Sequence, residues 1–217
     1  MAQHDIQAVV FDYGGVLTNP VREAIGVWLA AEGIDPLSFS VTLKAWMSRD
    51  VPYGTPIHRL EMGEVSIPEF DRLLAAELIT HSGAPVDPDG VLARMFAGMR
   101  SDDAMFALVR ELRELGLRVG LLSNSWGNAY PRDLIDPLFD SIIISSEVRL
   151  RKPQPEIYLM AAEQLAVPAE RIVFVDDAEP NLIGAQAVGL QTILHESAAQ
   201  TRAALRAWLP ALQQGDE

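Results

Sequence analysis

Three acidic residues, one lysine and a hydroxyl–amide pair stand where chemistry could be done. Asp12 follows the apolar run Ile6 to Phe11, and Ser123 and Asn124 follow Arg118 to Leu122. Asp176 and Asp177 follow Arg171 to Val175, and Lys152 comes shortly after Ile142 to Ile144. Carboxylates gathered in one place repel one another unless a proton or a cation intervenes. A hard, oxygen-ligating ion such as Mg²⁺ is the expected solution, because it accepts one or two carboxylates with a backbone carbonyl, waters and a substrate phosphate. Such a set can run attack of a carboxylate on phosphorus, giving an aspartyl phosphate that water then hydrolyses. The cation offsets the repulsion between nucleophile and phosphoryl group, and Lys152 adds a further positive charge. Ser123 and backbone N–H groups near Gly14 and Gly15 are expected to bind the transferring oxygens. Glycine at these two positions lets the main chain approach closely, having no Cβ.

These residues meet only if the elements beneath them put them on one edge. The four runs, and a fifth from Gln191 to Leu194, are short, aliphatic or β-branched, and unalternated. Strands buried on both faces of a parallel sheet read this way. Between them lie helical patterns. Asp102 to Leu115 has apolar residues at Met105, Leu108, Val109, Leu112 and Leu115, and Gly116 ends it. Glu156 to Leu165 and Asn181 to Val188 are similar. Alternating strands and helices predict an α/β fold, a three-layer α/β/α Rossmann-like core on a parallel sheet. In such sheets ligands bind beyond the carboxyl ends of the strands, which is where these polar residues fall. Residues 19 to 100 break the rhythm, with helical periodicity at Val21 to Ala31, Leu43 to Ser48, Pro68 to Leu78 and Val91 to Met99 and no convincing strand. The expected organisation is a core of residues 1–18 and 100–217 with an all-helical cap from 19 to 99.

Composition excludes whole classes of function. The chain has 217 residues, 49% hydrophobic and 22% charged, which is neither disordered nor fibrous. Its net charge of −13 repels phosphate backbones and anionic lipid. Neither nucleic acid nor a membrane is expected as a partner. There is no cysteine, hence no disulfide framework or thiolate nucleophile. The histidines show no zinc spacing. Apolar runs fall short of the ~20 residues that span a bilayer. The first apolar run lacks a basic region before it. A cytoplasmic protein is expected, as monomer or homodimer.

Four segments taken in order carry a family resemblance. Phe11-Asp12-Tyr13-Gly14-Gly15-Val16-Leu17-Thr18, Leu122-Ser123-Asn124, Arg151-Lys152-Pro153-Gln154-Pro155-Glu156-Ile157-Tyr158 and Val175-Asp176-Asp177 resemble the four motifs of the haloacid dehalogenase superfamily. Ser123-Asn124-Ser125-Trp126 and Met62-Gly63-Glu64-Val65-Ser66 are similar to the subgroup of sugar-1-phosphate phosphatases and the N-terminal phosphatase domain of soluble epoxide hydrolases. The resemblance implies a phosphatase acting on small phosphorylated metabolites. Asp12 would be nucleophile and Mg²⁺ ligand, with the main-chain carbonyl of Gly14 as a second ligand. Ser123, helped by Asn124, would bind phosphate, and Lys152 would orient nucleophile and phosphate. Asp176 and Asp177 would complete the metal site, which of them directly being left open. The helical insertion would be a C1-type cap.

One position departs from the pattern. Most phosphatases of the family carry a second Asp two residues after the nucleophile as general acid and base, and here Gly14 stands there. Such help is worth about 10²–10⁴-fold in rate. Three readings follow. The leaving group needs no proton, or His58 or Glu61 of the cap supplies one, or catalysis is weak and the chain is a phospholigand-binding module. A 2-haloacid dehalogenase, whose halide leaves without a proton, is the remaining alternative. Trp126 is read as lining the pocket or plugging the core, and His58, Arg59 and Tyr53 as facing either substrate or surface.

Overall fold

The computed structural model describes residues 5–47, 54–127 and 130–212. Tyr53 lies outside them. Five strands form one sheet: β1 (Ala8–Phe11), β2 (Arg118–Ser123), β3 (Ser141–Ile144), β4 (Ile172–Asp176) and β5 (Gln191–Leu194). All pairings are parallel, in the order β3-β2-β1-β4-β5. The apolar runs thus become strands because both faces of the sheet are covered. Val9, Phe11, Val119, Leu121, Val173 and Val175 face a layer that includes α6 (Asp103–Glu114) and α11 (Ala198–Leu205). Ala8, Val10, Leu122 and Phe174 face α9 (Pro155–Leu165) and α10 (Glu179–Ala187) on the other side. The result is the expected α/β/α sandwich. Two short helices, α7 (Arg132–Ile135) and α8 (Ser145–Val148), fill the β2–β3 and β3–α9 connections.

Between β1 and α6 the described residues make five helices: α1 (Val21–Glu32), α2 (Pro36–Met47), α3 (Pro56–Glu61), α4 (Ile67–Glu77) and α5 (Val91–Met95). They have their own hydrophobic cluster, including Trp28, Phe39, Ile57, Phe70, Leu74 and Met95. Ser66 caps α4 through the N–H of Glu69, and Pro68 occupies its first turn, where a missing N–H costs nothing. A bridge between Thr18 and Ser101 brings the two ends of this excursion together at the sheet. The short helix α3 has no periodicity that six residues could reveal, and its presence is a finding of the structure. Among the described residues no helix is long and apolar enough to cross a membrane.

Candidate active site

Strand register brings the carboxylates together. Phe11 pairs with Val175, so the next residue on each strand, Asp12 and Asp176, emerge side by side at the carboxyl edge. The N–H of Asp12 extends the ladder by donating to the carbonyl of Val175 at 2.9 Å. Asp177 follows, and ligand oxygens of Asp12, Asp176 and Asp177 all lie within 4.8 Å of one another. Gly15 makes room for this. It has φ +81°, and a Cβ there would stand 2.5 Å from the Asp177 Oδ2.

Lys152 reaches the same point from beyond β3. Its ammonium donates to Asp12 Oδ1 at 2.7 Å and to Asp176 Oδ2 at 2.6 Å, with the side chain wholly buried. Asn124 at the end of β2 fixes the lysine's main chain from both sides. Its Oδ1 accepts the Lys152 N–H at 2.9 Å and its Nδ2 donates to the Lys152 carbonyl at 3.1 Å. Pro155, in the first turn of α9, starts the helix directly after this loop.

The two neighbouring aspartates have different surroundings. Asp176 is fully buried, and its oxygens accept from Lys152, from the Ala178 N–H at 2.8 Å and from the Asn181 amide at 3.1 Å. Asp177 is exposed at the wall of a cavity of about 750 Å³ that Asp12, Gly14, Asn124 and Lys152 also line. Burial, opposed by Lys152 and reinforced by Asp176, pushes the Asp12 carboxyl up to about 7. Burial also works against a charged Lys152, but Asp12 and Asp176 outweigh it, and the ammonium is held more firmly than in water. Burial and then Asp176 raise Asp177. A cation would relieve this crowding of acids. The donor set, all oxygen and with one carboxylate facing open space, fits Mg²⁺.

Ser123 is buried, and its hydroxyl pairs with that of Tyr130 at 2.9 Å. The N–H of Gly15 donates to Thr18 Oγ1 at 2.9 Å and closes the turn. Gly14 lines the cavity.

Helix α3 contributes His58 and Glu61, and the loop after β2 contributes Trp126. Both Glu61 oxygens are occupied, by Trp126 Nε1 at 2.8 Å and Arg151 Nε at 2.5 Å, and its carbonyl accepts from the Ser145 hydroxyl at 2.6 Å. Glu61 is therefore a clasp between α3 and the loop that carries Lys152. Trp126 both lines the cavity and packs on Phe70 and Phe96. His58 is buried at the cavity wall, and burial, followed by the charge of Arg151, lowers its pKa. Arg59 is exposed enough to pair loosely with Glu69 at 4.0 Å. Sequence reasoning missed Arg151, Ser145, Tyr130 and Asn181 as partners. Only the Asp176-to-Asn181 spacing, one helical turn beyond a strand end, hinted at any of them.

The chain is similar to proteins from several organisms. It is 31% identical over 209 residues to a phosphatase of Mycobacterium tuberculosis, covering 91% of this chain and 90% of that one. It is 27% identical to a sesquiterpene phosphatase of Aspergillus oryzae, covering 85% and 87%. Its fold matches that of a HAD-like hydrolase from Porphyromonas gingivalis with a TM-score of 0.68 at 24% identity, over 94% and 98% of the two chains. A model of haloacid dehalogenase-like hydrolases matches residues 6–189. With that match covering β1 to β4, the inserted helices and all three aspartates, the chain belongs to the haloacid dehalogenase-like hydrolase family.

Proposed function

We propose that the protein is a Mg²⁺-dependent phosphatase of small phosphorylated metabolites, with Asp12 as nucleophile. The observation that carries this is the buried Lys152 bridging Asp12 and Asp176 beside the open carboxylate of Asp177. The two phosphatase relatives support the reaction class. Residues 19–99 act as a cap on a core of 1–18 and 100–217.

In the first step an Asp12 oxygen attacks phosphorus, and the bond from phosphorus to the leaving oxygen breaks with its electron pair on that oxygen. In the second, water attacks the phosphorus of the aspartyl phosphate, releasing phosphate and restoring Asp12. Lys152 holds Asp12 in line and offsets charge on the phosphoryl oxygens. Asp176 keeps Lys152 charged and aimed, and Asn124 holds its backbone. Asp12, Asp177 and the Gly14 carbonyl would hold Mg²⁺ directly, with Asp176 behind them. When bound, the ion supplies positive charge between nucleophile and phosphoryl group. Gly14 carries no acid and both Glu61 oxygens are taken, so the proton for the leaving oxygen comes from water or from His58 at the cavity wall.

A panel of metabolite phosphates assayed with Mg²⁺ and with EDTA tests this. Phosphate release that needs Mg²⁺ and vanishes in Asp12→Asn is expected, and background release throughout would overturn it. The missing acid at Gly14 also favours a second reading, a phospholigand-binding module. It predicts calorimetric binding of phosphate esters without turnover over hours.

A further inference from the structure

The cavity in front of Asp12 has two chemically opposed ends. One holds Asp12, Asp177, Lys152 and Asn124. Away from it the lining is mostly apolar, interrupted by His58, Glu61, Arg151 and Asn181, and three helices build the apolar part by the same device. α1 presents Val21 and Ile25, one helical turn apart, and α2 presents Leu43 and Met47 at the same spacing. From the core side, α10 presents Pro180, Ile183, Gly184 and Ala187, an i, i+3, i+4, i+7 stripe. Such a stripe normally lies against a protein interior. Here Gly184 packs on Pro153, while Ile183, 50% exposed, and Met47 of α2, 53% exposed, are largely uncovered among the described residues. Phe96 and Trp126 extend the wall toward the carboxylates.

The polar groups that line the cavity away from the carboxylates are few, and most are spent on each other. Glu61 and Arg151 form a pair, with Trp126 donating to the same glutamate. A hexose placed here would set hydroxyls against Val21, Ile25, Leu43 and Ile183. Each hydroxyl stripped of water without a partner weakens binding. An alkyl, isoprenoid or aryl group would gain instead. A volume of about 750 Å³ is ample for such a group beyond the phosphate.

We propose that the site takes phosphate monoesters of predominantly apolar alcohols or phenols, in preference to sugar phosphates. This rests on the phosphatase reading and sharpens it. The phosphate lies at the acidic and lysine end, and the organic group lies between α1, α2 and α10.

The test uses phenyl, para-ethylphenyl, para-butylphenyl and para-hexylphenyl phosphate, whose leaving groups share nearly one acidity, so chain length alone varies. kcat/KM should rise about two- to fourfold per buried methylene, and n-hexyl phosphate should exceed hexose 6-phosphates, both leaving as primary alkoxides. Ile183→Gln, on an exposed helix face, should lower the hexyl-to-phenyl ratio by about threefold or more. A flat or falling series, or a hexose 6-phosphate turned over as well as n-hexyl phosphate, would overturn the proposal while leaving the phosphatase reading intact. Should none of the esters be hydrolysed, the phosphatase reading falls. Calorimetry with octylphosphonate and methylphosphonate then decides the cavity's preference by itself. Tighter binding of the octyl compound supports an apolar ligand, and equal binding refutes it.

Discussion

The ammonium of Lys152 sits between Asp12 at 2.7 Å and Asp176 at 2.6 Å, and all three side chains are buried or nearly so. Removing a charged member of such a group leaves the others uncompensated, which typically costs about 3–5 kcal/mol. Lys152→Met is therefore expected to lose both stability and turnover. Thermal unfolding and phosphate release measure the two. A variant that melts with the wild type would mean that Lys152 does not hold these carboxylates.

Asp176 and Asp177 should separate by their phenotypes. Asp177→Asn removes the open carboxylate and is expected to raise the Mg²⁺ concentration needed for half-maximal activity by tenfold or more, with partial rescue at high Mg²⁺. Asp176→Asn removes the negative charge and one of the two oxygens that accept from Lys152, Ala178 and Asn181. It is expected to lower the melting temperature more than it shifts the Mg²⁺ requirement. The reverse pattern would exchange the two assignments.

Mg²⁺ binding should depend on pH near neutrality. Without the ion, burial, against the pull of Lys152, pushes Asp12 up to about 7. The folded state then keeps a proton that the unfolded chain releases near 3.8. Asp12's contribution to stability is full below 3.8 and is lost as pH rises toward 7. The ion must displace that proton, so its affinity falls below pH 7, by up to about tenfold per unit. The upward shift of melting temperature caused by Mg²⁺ should grow from pH 5.5 to pH 8. A constant shift would contradict this.

The absent acid at Gly14 can be supplied. A Cβ there would meet only the Val21 Cγ2, at 3.2 Å, a side chain able to give way, and Gly14 does not need a positive φ. Gly14→Asp is expected to raise kcat/KM for alkyl phosphates by up to about 10²-fold and to change aryl phosphates little, since a phenolate leaves without a proton. Equal gains for both classes would argue against proton delivery as the missing step.

Glu61 should behave as a structural clasp and not as an acid. Glu61→Ala leaves Arg151 partly buried without its partner, and a loss of about 3 kcal/mol or more is expected. For a chain of this size that is a fall of about 6 °C or more in melting temperature. Trp126, which loses a hydrogen bond to the same carboxylate, should report it by fluorescence.

By itself the sequence determined the sheet and the acidic edge. Val9 and Val10 on β1, and Val173 and Phe174 on β4, are apolar on both strand faces, and a parallel sheet is the arrangement that buries them all. Because its strands end together, Asp12 and Asp176 had to share one edge. Only the tertiary structure decided what each polar side chain does there. Asp176 and Asp177 are adjacent and identical in kind. One points into the core toward Lys152 and the other outward to the cavity, because successive residues leaving a strand face opposite ways. Ser123 turned to Tyr130, seven residues on, and Glu61 to Arg151, ninety residues on. Such pairings depend on which side chains the fold brings within about 3 Å, and no local periodicity encodes that distance.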